Sequence, residues 1–214
     1  MKIEVIKDFR NQKVGFTYEF ESLKEKRLQV IVGENGCGKS SIFHALRGSL
    51  PKQGASLNID DWRSLSKNVK IKHNYDKILF LDGIEDDGRN MNVSYSATNL
   101  IKSGGLAKNR LSHGQGSISD IDNFLNVYGK SIIAGKTLIV LDEVDGGLSL
   151  AMQVKFYKIL TKIFIDKYDC DVIVISHNPL LMMQVDKVYD FSFKREIHSD
   201  VYIEAITGYS ITKA

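Results

Sequence analysis

An α/β domain built around a mostly parallel sheet is what this sequence predicts, and three observations predict it. Three short runs, 28–32, 137–141 and 171–176, are almost continuous in Val, Ile and Leu, the pattern of strands covered on both faces. Stretches with helical spacing stand between them: 40–47 after the first, and Leu150, Val154, Tyr157, Leu160 and Phe164 between the second and third. The segments 3–6 and 15–20 alternate at period two instead, which predicts an N-terminal antiparallel pair.

Between these anchors the elements follow in order. Residues 50–68 carry a weak signal broken by Pro51, Gly54, Asn58 and the pair Asp60–Asp61, which mark turns. Residues 69–72 and 77–81 read as short strands, and 82–92 as an acidic, glycine-containing loop. In 117–128 the apolar residues Ile118, Ile121, Phe124, Leu125 and Tyr128 have helical spacing. Pro179 opens a short helix, where its missing N–H costs nothing. Residues 188–193 and 201–206 predict a terminal hairpin.

Composition bounds the class. With 214 residues, 43% of them hydrophobic and 26% charged, the chain is expected to form one globular domain, 1–214, with a substantial core. A net charge of +3 neither requires nor excludes nucleic acid. The two cysteines, Cys37 and Cys170, provide neither a disulfide framework nor metal-ligand spacing, and fit a cytoplasmic setting. No apolar run has membrane-spanning length, so direct membrane insertion is not expected. The N-terminus alternates like a strand and does not read as a signal peptide.

The chemistry concentrates in a few places. Gly33-Glu34-Asn35-Gly36-Cys37-Gly38-Lys39-Ser40 fits G-x-x-x-x-G-K-[ST] between a buried strand and a helix. Its glycines let several N–H groups converge on phosphates, and the helix that follows adds its positive end. Lys39 is expected on the β- and γ-phosphates, and Ser40 on Mg²⁺. Strand 137–141 ends in Asp142 and Glu143, one carboxylate to hold a metal and one to polarise water as general base. An acidic turn after a core strand is the plainer alternative. Ser176-His177 ends another buried strand at the sheet edge where ligands bind, and a neutral imidazole there can bridge a γ-phosphate and the attacking water. Taken singly, His177 also fits a helix cap. Leu111-Ser112-His113-Gly114-Gln115 precedes a helix and reads as either an anion site or an N-capped polar turn. Asp145-Gly146-Gly147-Leu148-Ser149 is a tight turn.

In this order, phosphate loop, L-S-x-G-Q, strand-D-E, G-L-S turn and strand-S-H, the chain resembles the ATP-binding-cassette (ABC) class of P-loop ATPases from Ile3 to about Phe193. The resemblance implies a P-loop NTPase fold with a mixed, mostly parallel sheet, an N-terminal antiparallel β subdomain and a small helical signature region. It implies hydrolysis of ATP to ADP and phosphate with Mg²⁺, in a homodimer that sandwiches ATP. Nucleotide would lie against residues 33–41, that is Gly33, Glu34, Asn35, Gly36, Cys37, Gly38, Lys39, Ser40 and Ser41. Ser112, Gly114 and Gln115 of the second copy would cap it. The implied catalytic set is Glu143, His177 and Lys39, and the implied metal set is Ser40 and Asp142, to which Asp82 is added as a stand-in for the missing glutamine that would hold a metal-bound water.

The pattern departs from transport ATPases. No glutamine occurs between Gln53 and Gln115, and Asp82 stands near the expected place. Ser112 follows Lys39 by only 73 positions, and Val144 replaces the usual proline. The opening Ile6-Lys7-Asp8-Phe9-Arg10 is similar to that of small stand-alone relatives of the RecF and chromosome-maintenance types, in which an arginine at the place of Arg10 touches nucleotide. Three functions therefore compete. The leading one is a nucleotide-gated dimeric ATPase in nucleic-acid maintenance, defence or counter-defence. The others are the ATPase subunit of an ABC transporter, and an ATP-binding switch with little turnover. Lys102, Lys108, Arg110, Lys194 and Arg195 form a candidate basic face for nucleic acid, or are simply solvated. An unidentified protein partner is also expected.

Overall fold

The computed structural model describes residues 1–21, 27–51, 59–83, 121, 124–145 and 148–208. Two sheets organise them. The smaller, of order β2-β1-β4, is antiparallel and is formed by β1 (Lys2–Val5), β2 (Thr17–Glu19) and β4 (Val69–Lys72). The larger contains β3 (Leu28–Val32), β5 (Lys77–Asp82), β6 (Thr137–Asp142), β7 (Asp171–Ile175), β8 (Lys187–Asp190) and β9 (Arg195–His198), in the order β5-β6-β7-β3-β8-β9. All its pairings are parallel except β8 with β9.

The buried strands separate two cores by their period-two alternation. Val30, Val32, Ile139, Leu141, Val172 and Val174 pack on one side with Phe156, Leu160 and Phe164. Ile31, Leu138, Val140, Ile173 and Ile175 face the other side with Ile42, Phe43 and Leu46 of α1 (Lys39–Ser49) and with Ile3, Val5 and Tyr18 of the small sheet. The Tyr18 ring meets both Phe43 and Tyr189 edge-on at 5.4 and 5.2 Å, joining the small sheet to α1 and β8.

Three expectations are corrected. The weak stretch at 50–68 contains a helix, α2 (Ile59–Ser66), and Asp60 and Asp61 fill its first turn, where carboxylates favour the helix dipole, instead of marking a turn. The long helix after Ser149 is α-helical only as α3 (Leu150–Lys158) and continues as a π-helix over Ile159–Lys167. Phe156 and Ile159 join Leu160 and Phe164 inside while Val154 is exposed. At the end of the chain β8 pairs with β9, and residues 201–206 lie in helix α5 (Ser199–Thr207) instead of forming a strand. Tyr202 and Ile203 are buried on one face of that helix while Val201 and Ile206 are exposed. The short helix opened by Pro179 is present as α4 (Pro179–Met182).

Candidate functional site

The carboxyl ends of five parallel strands meet at one edge of the large sheet, the place where ligands bind in open α/β sheets. β3 delivers the glycine-rich loop there, β5 Asp82, β6 Asp142, β7 Ser176 and His177, and β8 Ser192.

The loop from Gly33 to Gly38 enters α1 through Gly38, whose φ of 98° lies in the left-handed region. Gly38 is required for a second reason: a Cβ there would overlap the side-chain amide of Gln12. That amide donates from Nε2 to the Cys37 carbonyl at 2.9 Å, and Asn11 Nδ2 donates to the Gly36 carbonyl. On the other flank the Glu34 N–H donates to Ser192 Oγ at 2.8 Å. The loop is thus braced from both sides. The Lys39 ammonium is buried and donates to the carbonyls of Gly33 at 2.8 Å and Glu34 at 3.0 Å. Arg10, itself at φ 46°, reaches the start of α1, with Nη1 3.4 Å from Ser41 Oγ.

Asp82 and Asp142 are direct partners in the parallel register of β5 and β6, so their carboxylates emerge side by side. Asp142 is 6% exposed, and burial, reinforced by the charge of Asp82, pushes its carboxyl up to about 7. Ser40 hydrogen-bonds to it, but Oδ1 has no partner. His44 stands one turn after Ser40 on α1, its Nε2 3.1 Å from Asp82 Oδ2. One ligand atom each from His44, Asp82 and Asp142 fall within 4.8 Å of one another. An orphaned, buried carboxylate oxygen beside a second carboxylate and a hydroxyl suits a divalent cation, so these residues fit the Mg²⁺ that the sequence resemblance implies. Such an ion, when bound, neutralises charge developing on phosphate oxygens.

Glu143 follows at φ 50° and donates its N–H to the Ile175 carbonyl at 3.0 Å. A non-glycine residue in this region is strained, a feature that clusters at functional sites. Gly83 permits the arrangement, because a Cβ there would collide with the Glu143 backbone. His177 Nε2 lies 3.9 Å from Glu143 Oε1. Burial, then the charge of Lys39, lowers the pKa of His177 and favours the neutral imidazole. Lys39, Glu143 and His177 therefore share one neighbourhood. His177 does not cap α4; Asn178 does, its side chain accepting from the Leu180 N–H at 3.0 Å. Ser176 Oγ donates to Asp145 Oδ2 at 2.5 Å, which ties the turn after Glu143 to the residue before His177.

Ser112, Gly114 and Gln115 lie outside the described residues, as do Gly146, Gly147, Lys102, Lys108 and Arg110. Lys194 sits over the Phe16 ring at 4.6 Å and Arg195 over Phe193 at 5.7 Å. Sequence reading missed His44, Gln12 and Ser192. His44 had a usable signal, its i,i+4 spacing from Ser40 on a helix. Gln12 and Ser192 had none, since each meets the loop only through the fold.

A family model for an AAA domain (AAA_23) matches residues 1–158. The zinc import ATP-binding protein ZnuC of Pseudomonas syringae pv. syringae (strain B728a) is 25% identical over 175 residues, 78% of this chain and 63% of that protein. The chain thus spans less than two thirds of that relative's length. The lipoprotein-releasing system ATP-binding protein LolD of Wigglesworthia glossinidia brevipalpis is 24% identical over 180 residues, 75% of this chain and 78% of that protein. Among solved structures, a nucleotide-free ATP-binding cassette from an ABC transporter superposes with a TM-score of 0.54 at 15% identity, covering 97% of this chain and 94% of that one. This likeness establishes the fold. The chain belongs to the AAA domain family and has the fold of an ATP-binding cassette.

Proposed function

We propose that this chain hydrolyses ATP to ADP and phosphate as a nucleotide-gated homodimer and supplies the ATPase subunit of a larger, transport-type assembly. The observation that carries the hydrolytic part is the convergence of Lys39, Glu143 and His177 beside the paired carboxylates Asp82 and Asp142. Lys39 and the N–H groups at the start of α1 hold the β- and γ-phosphates. Glu143 takes the proton of the attacking water, and neutral His177 orients that water against the γ-phosphate. Ser40, Asp142 and Asp82 hold the cation. Ser112, Gly114 and Gln115 of a second copy cap the γ-phosphate, adding charge stabilisation where it develops. The transport-type assembly is supported by the names of the relatives, which are import and lipoprotein-release ATP-binding proteins. No helix among the described residues is long and apolar enough to cross a membrane, so any membrane-spanning part of the assembly is assigned to a partner.

A second reading, a stand-alone ATPase of the RecF type in nucleic-acid maintenance, defence or counter-defence, is favoured by one observation: the Arg10 guanidinium reaches the first turn of α1. The decisive experiment is sizing of Glu143→Gln with and without ATP. An ATP-dependent shift to twice the mass with turnover reduced at least ~100-fold supports the mechanism; unchanged turnover or a persistent monomer sinks it. Co-purification with a membrane protein favours the transport assembly, and salt-dependent mobility shift of DNA or RNA favours the second reading.

A further inference from the structure

The cation site has a ligand that an all-oxygen Mg²⁺ site does not need. His44 projects from α1 toward the two carboxylates, with Nε2 3.1 Å from Asp82 Oδ2. Adjacent ligands around an octahedral ion at 2.0–2.1 Å stand about 3 Å apart, so this separation is one that a bound ion can bridge without moving either side chain far. The third ligand atom, from Asp142, lies within 4.8 Å of both, and Asp142 Oδ1 is buried with no hydrogen-bond partner. The His44 ring is also held in place: it packs 5.2 Å from the buried Trp62 ring, which in turn lies under the Arg47 guanidinium at 4.3 Å. A nitrogen ligand on a fixed ring is thus presented to two carboxylates before any nucleotide arrives.

We propose that His44, Asp82 and Asp142 form a preassembled site for a first-row transition dication, of the Mn²⁺ class, which binds the nucleotide-free chain and is preferred there to Mg²⁺. Mg²⁺ favours oxygen ligands and gives up its waters reluctantly, whereas an imidazole nitrogen raises affinity along the first-row series. The inference deepens the ATP-site reading, since the ion would sit where the proposed nucleotide cation is needed.

The test uses the full chain without nucleotide, titrated with Mn²⁺ and separately with Mg²⁺. Binding is followed by electron paramagnetic resonance and by quenching of Trp62, the chain's single tryptophan. One bound Mn²⁺ per chain with ¹⁴N modulation in the spin-echo spectrum is expected. Replacing His44→Phe keeps a ring against Trp62 and removes both nitrogens. It should abolish the ¹⁴N signal and weaken Mn²⁺ at least ~10-fold, while Mg²⁺ affinity changes by less than about 3-fold. Asp82→Asn should weaken both ions. No Mn²⁺ binding, Mn²⁺ bound without ¹⁴N modulation, or unchanged Mn²⁺ affinity in His44→Phe overturns the proposal. If circular dichroism shows His44→Phe unfolded, the wild-type ¹⁴N signal and the Asp82→Asn titration decide. Steady Mg²⁺-dependent ATP hydrolysis without a nitrogen-ligated Mn²⁺ would sink this inference and leave the ATPase reading standing. The converse result would separate them the other way.

Discussion

Gln12 donates from Nε2 to the Cys37 carbonyl at 2.9 Å, so a residue of the N-terminal segment holds the phosphate loop of the central sheet. The side chain is buried, and its Oε1 has no partner. Removing it therefore deletes one hydrogen bond and one orphaned acceptor together. Gln12→Ala is expected to cost under about 1 kcal/mol in urea unfolding, yet to weaken binding of a fluorescent ATP analogue several-fold because the loop loses a brace. Gly38→Ala should be worse on both measures. It forces a side chain into a left-handed conformation, worth about 1–2 kcal/mol, and onto Gln12.

Asp142 makes the protein's stability depend on pH. Its carboxyl is raised from 3.8 to about 7, so the folded state binds the proton more tightly than the unfolded state does. The resulting stabilisation is complete below pH 3.8 and is lost as pH rises through about 7. Free of metal and nucleotide, the protein should be roughly 1 kcal/mol less stable at pH 8 than at pH 6 from this group, a fall of about 2–4 °C in Tm. Asp142→Asn should flatten the dependence and raise Tm at pH 8. Thermal melts in EDTA check it; a parallel slope in wild type and variant would refute the assignment.

Ser176 and Asp145 are both buried, and their 2.5 Å hydrogen bond is the link between the turn after Glu143 and the strand end that carries His177. Ser176→Ala leaves a buried carboxyl without that donor and is expected to destabilise the fold by about 1–3 kcal/mol. It should also reduce ATP turnover. A full-activity variant with an unchanged melting temperature would show that the link is dispensable.

His177 should act as a neutral group. Burial and the Lys39 charge hold its pKa below 6.5, so protonation needs more acid than for a free imidazole. The acid limb of kcat/KM, which reports the free protein, is expected to have its midpoint below pH 6.5. His177→Ala should lower kcat by roughly 10²–10⁴ while leaving KM within a few-fold. A fall confined to KM would make it a binding residue instead.

The sequence by itself determined the class of the sheet and marked the candidate chemistry-bearing segments. Strand–loop–helix context marks the phosphate loop, and unbroken apolar runs mark strands buried on both faces; both are local signals a few residues long. It misread 201–206, because so short a run, rich in β-branched residues, carries no period that separates strand from helix. It also missed α2, where turn-forming aspartates double as first-turn helix residues. What only the tertiary structure decided is which distant residues become neighbours. The parallel register of β5 and β6 sets Asp82 beside Asp142, and the helix turn from Ser40 brings His44 to them. Gln12 and Ser192 reach the loop from segments far away along the chain. Strand order and register follow from burying two apolar faces at once, a requirement of the whole chain that no short window of residues contains.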